Sequence, residues 1–337
     1  MHEIIEQVRR LAVLSSHVQN VNRNMCSSGA TATSVRAPTI SVNPKFSLVD
    51  EKIKIRLTGL ASNQIVTFVA DVRENGSVFE SRCVYRADDS GVVDNCTSES
   101  LDGTFKGVEQ MGLFWSLKSV GARVAMRLVK KDVTRPMEFT IRVFDGNQAE
   151  APEISSDPLS ETVVHRTFMA PDVKRLPLRE GRFRGTETFE WFSGLEYIDA
   201  SRLGAVGLCF GGFLSLGLTS ILPQIKAVVN INGTCITLGE NTRELENEWL
   251  RTDHTDKIEV IRYPDTGHLI EPPHMPFIRA IDAGGKRMLT INFIPKQFKD
   301  QKLMSGGHMV AHSHAQEDAW QRILDFLHTH LGPGHGS

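Results

Sequence analysis

The chain has 337 residues, room for about two domains and a sizeable core, and its 38 basic against 40 acidic side chains leave a formal net charge of −2. Such a balance excludes bulk electrostatic attraction to nucleic acid or to an acidic membrane, and no apolar run approaches the roughly 20 residues of a membrane span. The five cysteines, Cys26, Cys83, Cys96, Cys209 and Cys235, are odd in number and scattered; they form neither a disulfide framework nor a metal spacing, which points to a reducing, intracellular compartment.

Residues 1–38 read as a leader, distinct in composition from the rest of the chain. His2 to Leu14 carries an amphipathic pattern, and Ser15 to Thr39 contains no acidic residue. Arg9, Arg10, Arg23 and Arg36 among serines resemble a weak mitochondrial transit peptide, while Glu3 and Glu6 argue against one. A disordered leader and a cytoplasmic address are the default expectation, with a mitochondrial address as the second reading.

From Ile40 to about Gly146 the apolar period is two. Lys52 to Leu57 alternates, Ile65 to Val72 and Val78 to Tyr85 flank Asn75-Gly76, and Val124 to Val129 and Phe139 to Val143 continue the pattern. Asn-Gly between two such runs is a hairpin signal because both turn positions tolerate positive φ. Short strands with almost no helical period predict an all-β, immunoglobulin-like sandwich over residues 39–150. After the polar linker Gln148 to Pro158, the sequence offers a strand at Glu161 to Phe168, a hairpin-like stretch at Leu176 to Gly185 and a helix at Thr186 to Leu195.

The stretch richest in chemical information is Gly207-Leu208-Cys209-Phe210-Gly211-Gly212, preceded by Leu203-Gly204-Ala205-Val206 and followed by Phe213, Leu214, Leu216 and Leu218. It predicts a strand, a sharp glycine-flanked turn and a helix, the nucleophile-elbow pattern G-x-[Ser/Cys]-x-G with Cys209 at the tip. A cysteine at a helix N-terminus is favoured as thiolate by the exposed N–H groups. The same residues also fit a small cysteine buried in a βα turn. Downstream, Ile258 to Tyr263 alternates like a strand, Pro264 to Gly267 forms a loop, and His268 follows, where an α/β fold presents a base at the C-terminal edge of its sheet. Histidine suits proton transfer because it ionises near neutrality. Trp320, Ile323, Leu324 and Leu327, at i, i+3, i+4 and i+7, predict a closing helix packed on the sheet. His308, His312 and His314 lack the supporting ligands of a metal site, so no metal is expected.

One segment carries a specific resemblance. Asp102-Gly103-Thr104-Phe105-Lys106-Gly107-Val108-Glu109-Gln110-Met111-Gly112-Leu113-Phe114-Trp115-Ser116-Leu117 resembles the N-terminal domain motif of the type I acyl-CoA thioesterases and the bile acid-CoA:amino acid N-acyltransferases. Three further stretches match in order: the elbow with Asn232 to Thr242, Arg262 to Pro273, and Ala311 to Trp320. The resemblance implies that residues 160–332 are an α/β-hydrolase domain, that Cys209 is the nucleophile and His268 the general base. It implies an acyl-CoA thioesterase passing through an acyl-enzyme, with no cofactor beyond the coenzyme A thioester that is the substrate. Transfer of the acyl group to glycine or taurine is the alternative, and a cysteine at the elbow, as in the amino acid conjugating members, favours it. The tail Gly334-His335-Gly336-Ser337 is not a peroxisomal signal of the S-K-L type.

The family pattern is interrupted twice. The apolar strand and glycine-rich loop expected between Arg184-Gly185 and Thr186-Glu187 are missing, and with them a backbone donor of the oxyanion hole, worth roughly 2.7–4 kcal/mol of transition-state stabilisation. The segment that would carry the triad acid is missing between Thr242 and Lys257; Asp253 and Asp256 fall there, Asp265 reads as a turn residue, and no acid is assigned. A shortened, catalytically impaired acyl-binding relative is therefore a third reading.

Overall fold

A computed structural model describes residues 37–121, 128–151, 154, 156–171, 173, 185–196, 198–208, 210–222, 224–231, 259, 261–266, 272–276, 280–282, 302–304 and 308–332. The N-terminal part is β-rich. Strands β1 (Thr39–Asn43), β2 (Phe46–Leu48), β3 (Lys54–Thr58), β4 (Ile65–Glu74), β5 (Ser77–Arg86), β6 (Val93–Asp94), β7 (Asp102–Gly103), β8 (Lys118–Ser119), β9 (Met137–Asp145) and β10 (Ser160–Thr167) form two sheets. The smaller has the order β1-β3-β6; the larger runs β2-β10-β9-β4-β5-β7, with β8 also on β5. Both contribute to one core: Ile40, Val42, Ile55, Leu57 and Val93 from the first meet Phe68, Val72, Phe79, Tyr85, Phe139 and Ile141 from the second.

The local chemistry explains the pairing. Asn75 (φ +51) and Gly76 (φ +80) close the β4–β5 hairpin with Glu74 opposite Ser77, the doubly left-handed turn that Asn-Gly accommodates. The expected β10 is present, but it pairs with β9 in antiparallel and with β2 in parallel fashion, so it completes the sandwich instead of opening the following unit. Alternation gave Glu161 to Phe168 its strand; only the available sheet edge decided which sheet received it. Residues 122–127, which hold most of the strand expected from Val124, and residues 176–184 lie outside the described residues.

The segment Asp102 to Leu117 forms a plug in this core. Gly103 takes φ +112 and Gly107 φ +92. Gly112 opens the short helix α1 (Gly112–Trp115), and a Cβ there would come within 2.4 Å of the Phe105 ring. Phe105 lies 5.5 Å from Trp115 and Phe114 meets Phe139 edge-on at 5.2 Å. Ser81 donates to the Leu113 carbonyl at 2.5 Å, and Thr104 and Ser116 share a 2.6 Å hydroxyl contact. The motif most diagnostic by sequence is thus a packing device.

Beyond the sandwich come helix α2 (Gly185–Ser193), strand β11 (Leu203–Leu208), helix α3 (Phe210–Ile221), strand β12 (Ile225–Ile231), the short antiparallel pair β13 (Ala280–Asp282) and β14 (Lys302–Met304), and helix α4 (Met309–Leu331). β11 and β12 are parallel, from Leu203 opposite Ile225 to Leu208 opposite Ile231, with α3 as the crossover helix. α4 is the closing helix expected from its apolar stripe and it packs on β11 and β12, but its deepest burial lies in its first half, in the turns before Ile323 on the same side of the helix. His312, Ala315, Gln316 and Ala319 are buried, at i, i+3, i+4 and i+7, whereas Leu324 is 43% exposed and Ile323 and Leu327 are half-buried. α4 reaches both units. Trp320 donates to Asp50 (2.9 Å), Lys52 pairs with Glu317 (2.6 Å) and His314 with Glu109 (3.1 Å) on the sandwich side. On the other side Arg202 donates to the Leu331 carbonyl at 3.0 Å, and a Cβ at Gly204 would approach Leu331 Cδ1 to 2.7 Å.

Candidate active site

The elbow is built by steric necessity at Gly207. A Cβ at that position would fall inside 3.0 Å of the Gly211 carbonyl oxygen and the Gly212 nitrogen, so the end of β11 can lie against the first turn of α3 only if residue 207 has no side chain. Gly211 meets nothing there; its lack of a side chain leaves the opening turn of α3 uncovered. Ser215, buried one turn further along the helix, donates to the Gly212 carbonyl (2.8 Å) and reaches the Val229 carbonyl of β12 (3.4 Å), tying α3 to the sheet. The turn is therefore held from below by β12 and from within by glycine packing. Cys209 joins Leu208, the last residue of β11, to Phe210, the first of α3, and itself lies outside the described residues.

His268 also lies outside the described residues, as do Asp253 and Asp256, but the chain on both sides of the histidine is described and anchored. Upstream, the strand expected over Ile258 to Tyr263 is not formed at its described residues: Glu259 and Ile261 to Tyr263 belong to no sheet. Tyr263 instead spends its hydroxyl on α4, donating to Asp318 Oδ2 at 2.5 Å, and Arg322 Nε donates to the same oxygen at 2.7 Å. Thr266 donates to the Tyr263 carbonyl (2.8 Å), and the His308 N–H, at the start of α4, donates to the Asp265 carbonyl (2.7 Å). Asp265 adopts φ +56 in a turn, the conformation aspartate tolerates better than most residues.

Downstream, Pro273, His274 and Met275 are buried, and Met275 joins the sandwich core. His274 takes φ +66, and its Nδ1 stands 3.5 Å from Glu317 of α4. Burial, reinforced by the positive charges of Arg166 and Lys52, pushes its imidazole down to about 3. It is neutral at physiological pH and excluded from proton transfer there. Arg166 is buried beneath it, donating to the Val49 (2.5 Å) and Glu51 (3.0 Å) carbonyls with its guanidinium 4.9 Å from the Phe114 ring centre.

Asp318, Arg322 and His274 were not singled out by sequence reading. The i, i+4 spacing of Asp318 and Arg322 on a helix was a visible signal for their ion pair; nothing in the sequence marks Tyr263 as its third member. Of the three histidines weighed as metal ligands, His312 is buried in the α4 packing face, His314 pairs with Glu109, and among the described residues no cluster of three metal-ligating side chains occurs. Cys83 and Cys96 are free thiols; burial pushes the Cys83 thiol up, leaving it inert. No described helix is long and apolar enough to cross a membrane.

The chain was compared with known proteins. Residues 50–180 match the family profile described as "Acyl-CoA thioester hydrolase/BAAT N-terminal region", and residues 186–248 and 239–333 match "BAAT / Acyl-CoA thioester hydrolase C terminal". Similar proteins include mouse acyl-coenzyme A thioesterase 5, 26% identical over 427 positions that take in 87% of this chain and 97% of the mouse protein. Human bile acid-CoA:amino acid N-acyltransferase is 26% identical over 426 positions, 87% and 98% of the two chains. Rat mitochondrial acyl-coenzyme A thioesterase 2 is 26% identical, covering 90% of this chain and 92% of its own. A solved structure titled macromomycin, at TM-score 0.23 and 16% identity over 40% of this chain, is too loose a match to bear on the fold. Two features of these matches concern chain length: the C-terminal profile matches in two pieces, and 87% of a 337-residue chain is spread over 427 aligned positions. The relatives thus contain internal segments for which this chain has no residues. With both halves matched in order, and with relatives aligned along nearly their whole length, the chain belongs to the acyl-CoA thioester hydrolase/BAAT family.

Proposed function

We propose that the protein is an acyl-CoA thioesterase that works through a Cys209 acyl-enzyme. The observation that carries this reading is the elbow: a parallel strand running into a helix with Gly207 packed against the Gly211 carbonyl, and a cysteine as the residue between them. In this reading the N-terminal part, expected over 39–150 and extended by β10, is an immunoglobulin-like sandwich, and the C-terminal part, expected over 160–332 but beginning after β10, is an α/β-hydrolase unit that lacks some of the family's strands. The Cys209 thiolate attacks the thioester carbonyl, the C–S bond to coenzyme A breaks, and the imidazolium of His268 returns the thiol's proton to the departing coenzyme A sulfur. Water then attacks the Cys209 thioester, His268 takes its proton and passes it to the cysteine sulfur, and the free acid leaves. A missing orienting acid matters less here than for serine, because a thiol is intrinsically nucleophilic and partly ionised near neutrality. The substrate class is fatty acyl-CoA, no cofactor or metal takes part, and the setting is intracellular.

The second reading is transfer of the acyl group to glycine or taurine, and the residue type at the elbow favours it: a thioester intermediate is readily attacked by an amine. The interrupted match to the family supports the third, a shortened relative that binds acyl-CoA without turnover. One experiment separates them. Purified protein is incubated with a long-chain acyl-CoA, with and without glycine or taurine, and Cys209 is followed by intact-mass and peptide mass spectrometry. An acyl adduct on Cys209 together with free acid, both lost in Cys209→Ala, supports hydrolysis; an amino acid conjugate establishes transfer. A cooperatively folded protein that forms no adduct excludes both.

A further inference from the structure

We propose that Asp318 is a positioning residue for the proton-transfer step: together with Tyr263 and Arg322 it fixes to helix α4 the loop that leads into His268. This rests on the reading of His268 as the base, but the clamp itself is built entirely from described residues. Two donors converge on one oxygen, Tyr263 Oη at 2.5 Å and Arg322 Nε at 2.7 Å from Asp318 Oδ2. Arg322 also reaches Glu259 of the same loop at 3.7 Å. The loop backbone is joined to the helix separately, by the His308 N–H on the Asp265 carbonyl (2.7 Å), and it is stiffened by the Thr266 hydroxyl on the Tyr263 carbonyl (2.8 Å). Downstream, Pro273, His274 and Met275 are buried, Met275 in the sandwich core and His274 beside Glu317 of α4. The described chain on either side of His268 is thus anchored, upstream by the Tyr263–Asp318 bond and the His308–Asp265 backbone bond and downstream by the buried Pro273, His274 and Met275.

The solvent exposure of this clamp separates positioning from stability. Asp318 and Arg322 are each about half exposed, at 50% and 51%, and an exposed ion pair contributes about 0–1 kcal/mol. Helix α4 is held instead by its buried face, His312, Ala315, Gln316 and Ala319. Breaking the clamp therefore removes the side-chain tether of the loop while leaving the fold and the His308–Asp265 backbone bond in place. The phenol remains protonated and the carboxylate charged across the physiological range: burial first, then Asp318, pushes Tyr263 up to about 12, and the hydrogen bond from Tyr263 leads the effects that lower Asp318. The hydrogen bond consequently persists across the pH range in which an imidazole works.

The test compares wild type with Tyr263→Phe, Asp318→Asn, Asp318→Glu and His268→Ala. It reads single-turnover acylation by a long-chain acyl-CoA, the pH dependence of Cys209 alkylation by iodoacetamide, and the thermal midpoint. Tyr263→Phe and Asp318→Asn should slow acylation about tenfold, the size of effect that small misplacement of a catalytic group produces. They should also move the Cys209 alkylation profile upward in pH, toward that of a free thiol, as His268→Ala does, with the midpoint within about 2 °C of wild type. Asp318→Glu should recover part of both. A His268→Ala effect with Tyr263→Phe and Asp318→Asn behaving as wild type overturns the clamp and leaves the proposed base intact. A fall in midpoint with the alkylation profile unmoved overturns it too, by making the bond merely structural. If His268→Ala changes neither acylation nor alkylation, the base assignment fails and the clamp with it. If wild type accepts no acyl group, the alkylation profiles alone decide.

Discussion

The hairpin β4–β5 and the unit β11–α3–β12 are each legible as a short sequence signal with glycine at a critical point, yet they are stabilised in opposite ways. In the sandwich, β4 is paired on both sides and buried along most of its length, with Val66, Phe68, Val69, Ala70 and Val72 all at 2% exposure or less. In the second unit, the described parallel sheet has two strands, Val206 on β11 is 53% exposed and Leu214 on α3 is 51% exposed. The sandwich is closed by its own residues, whereas the elbow keeps its local geometry through backbone packing at Gly207 and through α4. The break in the match to the family's C-terminal profile falls in the second unit, whereas the N-terminal profile matches in one piece.

The sharpest way to break this comparison is in the sandwich. Trp115→Ala removes a side chain buried to 2% that packs on Phe105, and it should lower unfolding free energy by about 4 kcal/mol. Urea titration followed by far-UV circular dichroism measures this. A loss under about 1 kcal/mol, the cost of an ordinary substitution, would mean that the diagnostic motif is not a core plug.

The junction between the two units should be acid-sensitive. His274 is held near 3 in the folded protein against an ordinary 6.5, so the unfolded chain takes up a proton on that side chain before the folded one does. Stability is full above about 6.5 and falls as pH drops toward 3, by on the order of 3 kcal/mol at about pH 4. Comparing midpoints of wild type and His274→Gln between about pH 7 and 4 checks the sign: the variant should lose less. Equal acid sensitivity in the two proteins would place the effect elsewhere.

Gly207→Ala tests the elbow itself. The added carbon meets Gly211 backbone, which cannot swing aside as a flexible side chain could, so about 2 kcal/mol of overpacking is expected, with the Cys209 adduct lost. Unchanged acylation would show that the strand and helix tolerate separation. The smallest effect is expected at Leu324. Because that residue is 43% exposed, Leu324→Lys should change stability by no more than about 0.5 kcal/mol, whereas Ala315→Lys on the buried face of the same helix should unfold it from the sandwich.

Much of the sandwich was legible because its signals are local. Asn75-Gly76 names its own turn, and period-two runs on either side name the strands. The closing helix was also legible, and Ile323 and Leu327 fall on the same side as the buried His312, Ala315, Gln316 and Ala319; what spacing did not show is that burial is deepest in the first half of the helix. There the helix also reaches the sandwich, where Asp50, Lys52 and Glu109 pair with Trp320, Glu317 and His314. The upstream flank of His268 was misread. Alternation over Ile258 to Tyr263 predicts a strand, but a strand needs a neighbour to pair with, and Tyr263 finds its partner on a helix more than fifty residues later in the chain.

Sequence alone determined the family, the β-rich character of the N-terminal part, the strand–glycine–helix at the elbow and the choice of Cys209 and His268 as the residues to test. These are decided by spacing along the chain and by which residue types a tight backbone can tolerate. Tertiary structure decided that β10 belongs to the sandwich, that Gly207 is obligatory because the Gly211 carbonyl lies against it, and that α4 joins both units through Trp320, Glu317, Asp318 and Leu331. Each of these is a contact between segments that the chain alone does not bring together, and only the folded protein specifies which groups compete for the same space.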